Sequence, residues 1–223
     1  MVHIPSFLQE IGSLSSGEGW VIGCDEVGRG CLAGPVVAAA VVFRWDPDTF
    51  VRRSTLLRYV RDSKMLSAKQ RSAALTSIHA EAASFAVGVV EPHEIDTLNI
   101  HNASLLAMRK AIDGLERVWT EQSRPLVLID GRFEIPKLPF AQRAIVDGDA
   151  DVFSIAAASI VAKEYRDHFM HELHNVLPLY GFDRHVGYAT KQHHEAILEH
   201  GLTPHHRRSF CGKYLLAQSP SCP

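Results

Sequence analysis

The stretch Val21-Ile-Gly-Cys-Asp-Glu-Val-Gly-Arg-Gly30 starts as an apolar run and ends as a glycine-rich turn, with two adjacent carboxylates at the junction. Residues 20–25 read as a strand. Residues 36–43 form a second apolar run, uniform enough to be buried on both faces. The turn between them is not a P-loop beyond its G-x-x-x-x-G spacing, because Arg29 and Gly30 stand where Lys and Ser/Thr would reach phosphate and magnesium. It is not a dinucleotide fingerprint either, since Gly34 comes one residue late after Gly28-Arg29-Gly30. What is left is a turn whose glycines let backbone N–H groups approach a ligand closely, with Arg29 between them as a candidate phosphate clamp.

Working outward, Ser67-Ala-Lys-Gln70 has the pattern of a capping box opening a helix to about residue 82. Residues 84–90 predict a third strand, 103–118 a helix, and Leu126-Val-Leu-Ile-Asp130 a fourth strand stopping on a carboxylate. Residues 144–146 predict a short fifth strand leading into an alanine-rich helix over 154–174, and 190–200 a last helix. This order predicts an α/β fold, a mixed sheet of about five strands flanked by helices with further C-terminal helices. The expected organisation is an N-terminal extension over 1–18 with a flexible lead-in at 12–19, one domain over 19–217 including the C-terminal helical segment, and a flexible tail at 218–223.

Composition narrows the class. A 223-residue chain that is 46% hydrophobic and 22% charged folds as a globular unit without disulfide or metal, and is neither disordered nor a coiled coil. With 23 basic and 25 acidic residues the formal charge is −2, so any surface for phosphates has to be local. No run nears the length of a membrane span, no basic leader opens the chain, and the four cysteines form no C-x-x-C pair. A soluble, cytoplasmic protein is expected.

Four acids are placed to do chemistry: Asp25 and Glu26 after the first strand, Asp130 ending the fourth, and Asp149 just before the long helix. Ligand sites in such sheets collect at strand carboxyl ends. One aspartate at such a point is most often a turn or cap residue, but four together favour convergence, and converging carboxylates are usually neutralised by hard divalent cations. The thirteen histidines do not make a zinc helix: His193-His194-Glu195 followed by His200 has the wrong spacing. His205-His206-Arg207-Arg208 reads as a basic surface patch.

At Asp25-Glu-Val-Gly-Arg-Gly30 the chain closely resembles bacterial ribonuclease HII, the type 2 ribonuclease H family. The likeness continues through Asp62-Ser-Lys64, Glu91-Pro-His-Glu-Ile-Asp96-x-Leu-Asn-Ile100, Val127-Leu-Ile-Asp-Gly131, Gly148-Asp149, Ser154-Ile-Ala-Ala-Ala-Ser-Ile-Val-Ala-Lys163, Tyr180-Gly-Phe182, His185-Val-Gly-Tyr188 and His205-His-Arg-Arg-Ser-Phe210. These blocks span nearly the whole chain in the family's order. The resemblance implies a ribonuclease H-like fold that hydrolyses the RNA strand of RNA–DNA hybrids and nicks duplex DNA 5′ to a single embedded ribonucleotide. It implies two magnesium or manganese ions held by Asp25, Glu26, Asp130 and Asp149, and products with 3′-hydroxyl and 5′-phosphate ends. It also implies that Gly28-Arg29-Gly30 reads the ribose 2′-OH, that Tyr188 stacks on the following sugar, and that Lys64, with Asn99, Lys163 and Arg207, faces phosphates. The expected partners are RNA–DNA hybrid and ribonucleotide-containing duplex DNA, with no membrane and the chain acting as a monomer.

The chain departs from the family pattern at Met65 and Val186, where lysines are frequent; each departure removes a candidate phosphate contact, so affinity and salt dependence weaker than the family norm are expected. Residues 44–61, with Arg44, Arg52, Arg53, Arg58 and Arg61, read as a basic surface insertion, a candidate flap over nucleic acid. A non-catalytic hybrid-binding protein would keep Arg29, Lys64 and Tyr188 but would have no need of the four acids. Their presence favours the enzyme.

Overall fold

The computed structural model describes residues 5–15, 19–44, 59–61 and 63–217. The tail at 218–223 and most of the arginine-rich segment, residues 45–58, lie outside the described residues. Five strands form one mixed sheet: β1 (Trp20–Val27), β2 (Val36–Arg44), β3 (Ser84–Val90), β4 (Leu126–Asp130) and β5 (Ala141–Ile145), in the order β3-β2-β1-β4-β5. β2 pairs antiparallel with β1 and β3, while β1, β4 and β5 run parallel. The predicted fold class is the observed one. The fifth strand lies three residues earlier than expected, at 141–145, because the alternation of exposed and half-buried residues there weakens its apolar signal.

Nine helices with α geometry are assigned among the described residues, four of them ahead of the fourth strand. These are α1 (Leu8–Ser15), α2 (Ala68–Glu81), α3 (Pro92–Leu98) and α4 (Ile100–Asp113). A single turn, α5 (Gly148–Asp151), runs into the 24-residue α6 (Phe153–Val176), and α7 (Phe182–His185), α8 (Lys191–His200) and α9 (Gly212–Ala217) follow. The capping box at α2 forms as read, with Ser67 accepting from the Gln70 N–H. The helix read at 103–118 instead starts at Ile100, where Asn99 accepts from the Asn102 N–H, and stops at Asp113 before Gly114.

Strand alternation builds two cores from one sheet. Val21, Val37, Ala39, Val41 and Leu128 face α6 and α2, while Ile22, Cys24, Ala38, Ala40 and Ile129 face α4. One glycine on each face sets how close the helices come. A Cβ at Gly23 would lie 2.1 Å from the Ser154 carbonyl of α6, and one at Gly88 would lie 2.0 Å from the Ala107 carbonyl of α4. A third cluster, with Leu32, Met170, Phe182 and Ile197, joins the far half of α6 to the C-terminal helices.

The flexible lead-in expected at 12–19 is helical through residue 15, and the segment before it is docked; residues 16–18 lie outside the described residues. Phe7 packs against Phe153 at 4.7 Å between tilted ring centroids, and Phe153 in turn meets Phe43 at 5.2 Å. Ser6 bridges Val152 in parallel, donating to the Asp151 carbonyl at 2.9 Å and accepting from the Phe153 N–H at 3.2 Å. Buried Glu10 accepts from the Ser154 N–H at 2.9 Å. Val152, at the N-cap of α6, has no side-chain oxygen, so the first free N–H groups of this long helix are capped by residues about 145 positions earlier. Glu10→Ala should cost about 1–2 kcal/mol, with Glu10→Gln recovering part of it. Gly23→Ala should cost about 3 kcal/mol because the atoms it would meet, the Ser154 carbonyl, are backbone and cannot swing aside. Urea denaturation of the three variants checks both expectations.

Candidate active site

β1 and β4 are parallel, and their pairing ends at Cys24 against Ile129. The next residue on each strand is an aspartate. Asp25 and Asp130 therefore emerge side by side at the carboxyl ends, on the sheet face that carries α6. Glu26 emerges on the α4 face. Gly131, at φ 101°, turns the chain away. Asp149 arrives on α5, because Asp130 Oδ1 accepts from the Gly148 N–H at 2.8 Å and the Asp149 N–H at 3.3 Å.

All four expected acids thus come to one region. Asp25, Glu26 and Asp130 line a cavity of about 380 Å³ together with Gly28, Arg29, Gly30, Lys64, Lys163 and Tyr188. Asp149 joins through Lys64, whose Nζ sits 2.9 Å from its Oδ2. Arg29 pairs with Glu26 at 2.8 Å. A cleft of about 350 Å³ beside Trp119 and Phe140 has similar size but different chemistry, since its Glu121 is already paired with Arg117 and Arg124.

Crowding shows in the proton affinities. Burial first, then the charges of Glu26 and Asp130, push the Asp25 carboxyl well above the usual range. Asp130 is pushed up to about 6 by burial and then by Asp149 and Glu26, against the opposing pull of its two backbone donors. Glu26 Oε2 is buried without a hydrogen-bond partner. Among the described residues no three carboxylate, histidine or cysteine side chains close on one point as a finished cage. The acids instead ring the cavity, with the Lys64 ammonium placed at one of them. Oxygen donors held together against repulsion, one of them unsatisfied, fit hard divalent cations.

One expected phosphate contact does not hold. Arg207 is fully buried, donating to the Gly34 and Arg29 carbonyls at 3.0 Å each, so it faces backbone and not a phosphate. The stretch 205–208 is likewise no basic surface patch: His206 and Arg207 are buried, because residue 206 pairs with Ala33 as an isolated antiparallel bridge and carries the chain inward. Asn99 caps α4 with its side-chain oxygen and is exposed, so the cap does not use the amide N–H groups a phosphate would meet. Lys163 does line the cavity, though its Nζ is 2.8 Å from Asp167.

Behind Tyr188 lies a histidine cluster the sequence reading missed. His185 stacks on His193 at 4.5 Å, and His193 Nε2 is 3.1 Å from His206 Nε2. His193 Nδ1 reaches the Tyr188 carbonyl at 2.9 Å, so this nitrogen carries the proton and Nε2 accepts from His206. His206 Nδ1 is left to accept from the Thr203 N–H at 3.0 Å. Every ring is thereby used in its neutral form. Burial pushes His193 and His206 down to about 4.

The architecture has solved counterparts. It superposes on the ribonuclease H2 from Pyrococcus horikoshii OT3 with a TM-score of 0.69 at 24% identity, covering 89% of this chain and 98% of that one. It superposes on Bst-RNase HIII in complex with Mn2+ with a TM-score of 0.60 at 21% identity, covering 91% and 71%. The fold is thus that of the type 2 ribonuclease H class. The ribonuclease HII family model matches residues 22–213. A ribonuclease HII from Bacteroides thetaiotaomicron is 49% identical over 191 residues, 84% of this chain and 88% of that protein. One from Pelodictyon phaeoclathratiforme is 48% identical over 191 residues, 85% and 88%. The chain belongs to the ribonuclease HII family and is an endoribonuclease of the kind that acts on RNA–DNA hybrids.

Two pH effects of opposite sign follow. Asp130 binds its proton more tightly folded than unfolded, so its contribution is complete below about pH 4 and is lost as pH rises through about 6. Asp130→Asn, which keeps the acceptor oxygen, should raise the melting temperature of the metal-free protein at pH 7 by a few degrees. The two histidines bind protons less tightly folded, so their contribution is complete above about pH 6.5 and fades as pH falls toward 4. The unfolding free-energy difference between the native protein and His206→Leu isolates this term. Denaturant titrations should show it shrinking across that window.

Proposed function

We propose that the protein hydrolyses the RNA strand of RNA–DNA hybrids and nicks duplex DNA on the 5′ side of a single embedded ribonucleotide, working as a cytoplasmic monomer. The observation that carries this is the meeting of three carboxylates, Gly28-Arg29-Gly30 and Tyr188 around one cavity. Asp25, Glu26, Asp130 and Asp149 would hold two magnesium or manganese ions, which when bound supply an activated water and stabilise the charge on the leaving 3′-oxygen. The chain's own residues do the rest. Asp25 and Asp130 are fixed by adjacent parallel strands, so their spacing is set by the sheet and not by loop motion. Lys64 keeps a positive charge at Asp149 and lies where a phosphate would enter.

Selection of ribose is assigned to the other wall. Gly28 has φ 93°, which turns the backbone of the Gly-Arg-Gly segment toward the cavity. Its N–H and carbonyl groups can meet a 2′-OH, the group that separates RNA from DNA at a given position. Tyr188 is 40% exposed, with its ring presented to the cavity as a stacking surface for a sugar. No helix among the described residues is long and apolar enough to cross a membrane.

Cleavage of a DNA duplex carrying one ribonucleotide, with magnesium, manganese or chelator, tests the reading. A metal-dependent nick leaving 3′-hydroxyl and 5′-phosphate ends is expected. A 2′,3′-cyclic phosphate would mean attack by the substrate's own hydroxyl and would refute metal-assisted hydrolysis. Asp25→Asn should lower turnover by about a hundredfold or more while duplex affinity stays within a few fold.

A further inference from the structure

Arg166 lies in the middle of α6 and is completely buried, yet among the described residues it forms no ion pair with a carboxylate. Its guanidinium donates three hydrogen bonds, all to backbone carbonyls: Nε to Pro35 at 3.0 Å, Nη2 to Ala33 at 3.1 Å and Nη1 to Val186 at 2.8 Å. The first two acceptors belong to the segment that continues Gly28-Arg29-Gly30. The third lies two residues before Tyr188, and the Arg166 guanidinium is 6.0 Å from the Tyr188 ring centroid. One side chain therefore spans both parts of the ribose-facing wall.

The surrounding glycines are shaped around it. A Cβ at Gly28 would lie 2.3 Å from Arg166 Nε, and one at Gly34 or Gly187 would lie 3.3 Å from Nη2. Gly28 and Gly34 come from one loop and Gly187 from another. The two loops also zip together directly: Leu32 donates to the Gly187 carbonyl at 2.9 Å, and Cys31 bridges Tyr188. Arg207 adds a second bolt, holding the carbonyl of Arg29 itself.

Burying a guanidinium without a counter-charge is unfavourable unless its donors are satisfied, and a planar fork can satisfy carbonyls in several directions at once. Lysine offers a point charge on a flexible stem and cannot reproduce that geometry. We propose that Arg166 is a positioning residue for ribose selection: it fixes the Gly-Arg-Gly segment and Tyr188 relative to each other, and thereby sets how strongly the protein prefers a ribonucleotide over a deoxyribonucleotide. This rests on the assignment of that wall to the 2′-OH.

The test measures affinity, by fluorescence anisotropy with calcium in place of the working ion, for two duplexes identical but for one ribonucleotide. The native protein should bind the ribonucleotide duplex more tightly; equal binding would sink the 2′-OH assignment itself. Arg166→Lys should reduce the ratio of the two affinities by about tenfold, leave the all-DNA affinity within twofold, and leave manganese affinity by calorimetry unchanged. A preserved ratio in folded Arg166→Lys, or an equal loss for both duplexes, would overturn the positioning role. Should that variant not fold, Gly28→Ala, which presses on Arg166 Nε, and Arg207→Lys, which frees the Arg29 carbonyl, must each lower the ratio. A ratio unchanged in either would overturn it equally.

Discussion

Carboxylates crowded at the edge of a low-dielectric sheet repel one another, and much of this molecule is arranged to hold them there. Asp25 and Asp130 cannot separate, because the strands that bear them are hydrogen-bonded neighbours whose apolar residues fill both cores. Asp149 is tied in through backbone donors to Asp130, and Lys64 and Arg29 supply compensating charge from the rim. A site of this kind is destabilised in isolation and relieved by cations, so folding stability and metal binding are linked.

The two walls of the cavity are built on different principles. The acidic wall is rigid because it is regular: two parallel strands and the first turns of a helix. The opposite wall has almost no regular structure. It is woven from three irregular segments, around residues 29–35, 186–188 and 205–207, joined by single bridges and by two buried guanidinium groups. Below it the neutral histidines supply the carbonyl and N–H partners that a loop cannot provide for itself. Irregular backbone buried this deeply needs side chains as its hydrogen-bond ladder.

Much of this was legible in the sequence. Apolar runs ending in acids at 25 and 130 identified the central strands, and glycine at 28 marked the turn, since these signals are local. The errors arose where a polar residue has a tertiary partner. His206 and Arg207 look like surface charge because nothing in their own neighbourhood reveals the Ala33 bridge and the Arg29 carbonyl that draw them inside. Arg166 did leave a trace: it falls on the stripe Ala162, Arg166, Met170, Leu173 of α6, whose other members are apolar and buried. A lone charge on such a stripe points to a buried, satisfied group. Glu10 left none, because its partner is a bare N–H far along the chain.

The cap on α6 has a consequence for how the chain is made. Glu10 and Ser154 are 144 residues apart, so the piece that completes the helix is synthesised long before the helix exists. During translation Phe7 and Glu10 have no native neighbours on α6 until the segment around Phe153 and Ser154 has left the ribosome. Closure of this long loop locks the turn bearing Asp149 to backbone laid down 145 residues earlier. The turn that brings Asp149 to Asp130 is therefore made only after the strands bearing Asp25 and Asp130, so the chain supplies the scaffold before the last of these charges.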